Sequence, residues 1–66
     1  MQVDVIAVHN TIGDVKPLWI LVDGKKSKID QINSVMKFPE LTVYHCSCKG
    51  KFISLQFDGA KWWIEY

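Results

Sequence analysis

The sequence predicts an all-β fold, and two observations carry that prediction. Turn signals recur at short intervals: "HNTIGD" at 9–14, "DGKK" at 23–26, "FPE" at 38–40, "CKGK" at 48–51 and "DGA" at 58–60. Between them lie short apolar segments rich in β-branched and aromatic residues, in which neighbouring side chains alternate in character. Glycine and proline fall at the boundaries of these segments, where a strand tolerates them.

The first run, "VDVIAVH", sets Val3, Val5 and Ala7 on one face against Asp4, Ile6 and Val8 on the other. "PLWILVDG" follows, with Leu18, Ile20 and Val22 opposed to Trp19 and Leu21, and its "DG" suits a tight hairpin turn. The segment "SKIDQINSVMKF" at 27–38 carries two readings. Ile29, Ile32, Val35 and Met36 follow helical spacing, and Ser27 with Asp30 resembles a capping box. Asn33, Ser34 and Val35 are poor helix formers, however, and a strand with one bulged residue produces the same spacing. The strand is favoured, with a short helix at about 28–37 as the alternative. Next, "LTVYHCSC" places Leu41, Val43 and His45 opposite Thr42, Tyr44, Cys46 and Cys48, and "KG" turns the chain into "FISLQFDG", where Ile53, Leu55 and Phe57 oppose Phe52, Ser54 and Gln56. In the last run Trp62, Ile64 and Tyr66 alternate with Lys61, Trp63 and Glu65.

A chain of 66 residues has room for one domain, 1–66. Five or six short strands of this length cannot build two well-covered sheets. The solution they favour is a strongly bent antiparallel sheet that closes as a small SH3-like barrel and so removes its exposed edges. The alternative is an open antiparallel sheet packed on the short helix.

Two stretches, "VDVIAVHNTIGDVKPLWI" and "FDGAKWWIEY", together with the "KID" triplet at Lys28, Ile29 and Asp30, resemble a family of small uncharacterised bacterial proteins, mainly from Firmicutes. Members begin with an alternating strand that ends near a histidine, then a glycine turn and "KPL"; they finish with a glycine turn and an aromatic-rich strand ending in an acidic residue. The first pattern falls on Val3 to Leu18 and the last on Gly59 to Glu65. The resemblance implies a small β-barrel-like fold and no established activity. The "HCSC" stretch and the doubled Trp62–Trp63 depart from the family pattern, so a function resting on them would be particular to this chain.

Composition narrows the function classes. Hydrophobic residues make up 48% of the chain, which excludes a disordered tail. The net charge is +1, but residues 25–51 hold six lysines against Asp30 and Glu40. All eight basic residues are lysine, and without arginine's planar fork a dedicated base-reading protein is disfavoured. The start "MQVDVIAVHN" has no basic leader and carries Asp4 within its apolar run, and no apolar stretch approaches the roughly 20 residues that span a bilayer. The expectation is a soluble cytoplasmic protein with no membrane partner.

Chemistry-bearing constellations are sparse. Cys46 and Cys48 share a strand face and, with His45 and His9, supply the residue types of a zinc site, but His45 points away from the cysteines and the spacing is not that of a zinc knuckle. Reduced cysteines serving as small strand residues are the simpler reading, and no metal or cofactor is expected. The carboxylates are scattered among turns, no nucleophile has an evident base, and so small a barrel is expected to lack a substrate-sized cleft; the expectation is no enzyme.

Binding is better supported. Trp62 shares its face with Ile64 and Tyr66 and reads as core, whereas Trp63 alternates with Lys61 and Glu65 and reads as outward, unless the last strand lies in a seam covered on both faces. Trp63, Trp19 and Tyr44 on one outer face would form a contact patch for a protein partner or for a second copy of the chain. Lys25, Lys26 and Lys28 in one turn and Lys49 and Lys51 in another, with an exposed tryptophan, make single-stranded nucleic acid the alternative partner. A non-catalytic binding module is the reading, with protein interaction or self-association favoured.

Overall fold

A computed structural model describes residues 1–65 of the chain as an all-β domain of seven strands. They are β1 (Gln2–His9), β2 (Val15–Val22), β3 (Lys25–Lys28), β4 (Gln31–Lys37), β5 (Thr42–Cys48), β6 (Lys51–Phe57) and β7 (Trp62–Glu65). Every pairing is antiparallel, and the sheet order is β3-β2-β1-β7-β6-β5-β4. Among the described residues there is no helix, hence none long and apolar enough to cross a membrane.

The two edge strands are consecutive in the chain. β3 runs into β4 through Ile29 and Asp30, so the sheet must curl round until its edges meet at that link, which gives the small SH3-like barrel. At the link the Ile29 N–H donates to the Leu18 carbonyl at 2.9 Å, and the Asp30 N–H donates to the Ser47 carbonyl, also at 2.9 Å. One kinked strand therefore serves both ends of the sheet and counts as two. That is why seven strands are found where five or six are expected. The helix alternative at 28–37 is overturned: the segment is strand, and its helical spacing comes from a register shift between Ile32 and Ser34 that changes the side-chain phase.

Tight turns set the hairpin registers. Asp23 and Gly24 have φ of 51° and 76°, and Lys49 and Gly50 have 53° and 75°, the paired left-handed conformations of a two-residue hairpin loop. Inside the curl lie Val3, Ile20, Ile29, Tyr44, Cys46, Ile53, Leu55, Trp62 and Ile64, all buried. Trp62 forms the aromatic centre: its ring stacks on Phe57 with centroids 4.3 Å apart and lies 5.6 Å from the Tyr44 ring. Tyr66, expected on the same face, lies outside the described residues.

Candidate binding surfaces

Three surfaces take up the residues singled out by sequence, and they are not the single aromatic face expected. Trp63 does point outward and is 37% exposed. It stands in a cross-strand row with Gln56, Val43 and Met36, and that row explains why Val43 is buried on the outer side of the sheet. Trp19 also faces outward, half-buried, opposite Ile6 on β1, four residues along that strand from Gln2, the partner of Trp63. At about 3.3 Å of rise per residue the two tryptophans belong to separate patches. Tyr44 corrects the expectation outright. It is 4% exposed and turned inward, because its ring packs against Trp62 and its hydroxyl donates to the Val15 carbonyl at 2.9 Å. Burial raises the phenol's pKa further, so the group stays a neutral donor.

The cysteine and histidine residues do not converge. Cys46 is fully buried, and desolvation pushes its thiol up to about 11. Cys48 is half-buried and donates from Sγ to the Lys28 carbonyl at 3.3 Å. His45 is exposed on the opposite face of β5, and His9 is exposed at the end of β1. Among the described residues no three metal-ligating side chains stand together.

The first surface is a cleft of about 610 Å³ at the end of the barrel where the loops 10–14, 38–41 and 58–61 gather. This is larger than expected for so small a barrel. It exists because β2 is paired with β3 only from Trp19 to Val22, so the start of β2, at Val15 and Lys16, faces β4 across an open seam. Tyr44 and Phe57 form part of its wall, with Val35, Phe38 and Leu41 beside them. Val35 and Phe38 are 45% and 53% exposed, and Ile12, next to the lining residue Gly13 in the chain, is 80% exposed. A single ion pair, Lys37 Nζ to Asp14 Oδ1 at 3.1 Å, straps the seam. The Asn10 carboxamide holds the loop that carries Asp14, its Oδ1 accepting from the Ile12 and Asp14 N–H groups at 3.1 and 2.9 Å.

The second surface is the corner at the β3–β4 link, where the Lys28 end of β3 meets the β5–β6 turn. The Cys48 thiol bonds the Lys28 carbonyl, and the Asp30 carboxylate accepts the Lys49 N–H at 2.9 Å. Lys26 places its ammonium 4.4 Å from the centroid of the Trp19 ring, and Phe52, next to Lys51, is 82% exposed. Phe52 is not among the residues the sequence singles out, although its place opposite the core residues Ile53 and Leu55 marks it as outward. The third surface is the Trp63 row itself. Comparison with protein-family models, with curated proteins and with solved structures finds no match to this chain.

Proposed function

We propose that this chain is a non-catalytic binding module whose partner is a protein, taken up as an extended segment along the seam between β2 and β4. One observation carries the reading: the start of β2, which no β3 residue pairs, and the outer edge of β4 face one another across a cleft whose wall is partly apolar. An unpaired edge is an invitation to another strand, and proteins that do not use it block it with lysine, proline or a bulge. The edge at β3 is blocked in that way, with three lysines in the four residues "KKSK", and the start of β2 carries Lys16 and Pro17. β4 is treated differently. Its bulge turns the first half away, but Ser34–Lys37 runs on flat, with Val35 and Met36 exposed and Lys37 engaged with Asp14. A segment laid there gains backbone bonds from the β4 edge and sends alternate side chains into the cleft. The strap offers little resistance: its side chains are 68% and 54% exposed, so the pair contributes at most about 1 kcal/mol.

The two unbridged thiols, Cys46 and Cys48, support a reducing, cytoplasmic setting for this module. The test is a selection of random linear peptides on the immobilised chain. Peptides with alternating apolar residues are expected to be enriched, and Val35→Lys, a change at an exposed position, is expected to abolish their binding without unfolding the protein. No enrichment, or binding indifferent to Val35→Lys, would overturn the reading. A dimer of the chain alone that Val35→Lys dissociates would make a second copy the occupant.

A further inference from the structure

We propose a second, separate site: the corner at the β3–β4 link binds single-stranded nucleic acid, with Phe52 and Trp19 as stacking platforms and the surrounding lysines on the phosphates. Folding brings the Lys28 end of β3 beside the Cys48–Lys49 turn, although twenty residues part Lys28 from Lys49 in the chain; Lys25 and Lys26 lie further along β3, and Lys51 opens β6. All five are exposed, and among the described residues the only ion pair in the molecule is Lys37 with Asp14, well away at the seam. Asp30, the acidic residue at the centre of the corner, is turned to the Lys49 backbone. Unpaired cations side by side repel one another, and an anion that bridges them relieves this.

The aromatic residues select among anions. Phe52, 82% exposed next to Lys51, leaves its ring open to solvent, and Trp19 lies under the Lys26 ammonium at the other side of the corner. An exposed ring and a lysine held over a second ring supply the two kinds of contact, stacking and charge, that a single strand offers partners for. Lysine acts as a point charge and does not read guanine edges in pairs as arginine does, so the site is indifferent to sequence and favours an unpaired strand over a duplex.

The intact chain is titrated with a labelled oligothymidine at low and moderate salt, and in parallel with inorganic polyphosphate, which has charge but no bases, and with anionic lipid vesicles. Binding of the oligothymidine is expected, with a logarithmic salt slope no steeper than about −3.5, the limit for five lysine–phosphate contacts. Phe52→Ala is expected to weaken it by roughly five- to a hundredfold while leaving polyphosphate unchanged. Lys28→Gln with Lys51→Gln should weaken both ligands and reduce the slope by about 1.4. Val35→Lys should leave all of this untouched, which separates the site from the seam. The proposal is overturned by absence of binding at low salt, by oligothymidine affinity unchanged in Phe52→Ala, or by vesicles binding more tightly than the oligonucleotide. These side chains are exposed, so the variants are expected to fold.

Discussion

Trp62 and Trp63 are adjacent in the chain yet sit in opposite environments, one 8% exposed between Phe57 and Tyr44, the other 37% exposed on the outer row above Val43. The two positions should therefore respond differently to truncation. Trp62→Ala should cost about 3–5 kcal/mol, comparable to the whole stability of so small a domain, and leave it largely unfolded. Trp63→Ala should cost about 1–2 kcal/mol, because a good part of its ring is already in water. Denaturant unfolding followed by near-ultraviolet circular dichroism checks both, and equal losses would contradict the assignment. Strand alternation alone separates this pair. It also places Tyr44 on the face of Cys46, but it cannot say which face is inside, since Leu41 and Val43 on the other are equally apolar. What decides is tertiary: the hydroxyl finds the Val15 carbonyl and the ring meets Trp62.

Among the elements, the turns are legible and the kinked strand is not. "DG" at 23–24 and "KG" at 49–50 are the tight turns expected of them. The turn between β6 and β7 is tied by Asp58, whose Oδ1 accepts from the Lys61 and Ala60 N–H groups at 2.7 and 2.9 Å. Those two bonds, Lys61 first, hold its carboxyl below the ordinary carboxylate range. A carboxyl depressed in the folded state stabilises the fold when ionised. That contribution is fully present above the unfolded value near about 4 and is lost as pH falls through the lower folded value. The urea midpoint of the natural chain should drop further between neutral and strongly acid solution than that of Asp58→Asn, which keeps the acceptor but not the charge. Parallel curves would remove Asp58 from the acid sensitivity. The segment 27–38 is ambiguous from sequence because one bulged residue between Ile32 and Ser34 and helical spacing write the same apolar pattern, and only pairing with β5 distinguishes them.

At the scale of the whole molecule, curling the sheet makes the surfaces that the chain order conceals. The seam sets Val15 and Lys16 beside Val35 and Lys37, and the lysine corner joins Lys28 and Asp30 to Cys48 and Lys49; neither juxtaposition follows from spacing, because both depend on how far the sheet bends before its edge strands meet. The sequence marks the lysines and the outward tryptophans, but not the apolar mouth at Ile12, Val35 and Phe38, whose residues look like ordinary strand and turn members until the edges beside them prove unpaired. The most direct measurement is amide-resolved hydrogen exchange of the labelled chain with and without a peptide recovered by the selection on the immobilised protein. A strand added in the seam should slow the outward-facing amides of Ser34–Lys37 and leave the Trp63 row and the lysine corner unchanged. Protection centred on Trp63 or on Lys25–Lys28, with the seam exchanging as before, would contradict strand addition there.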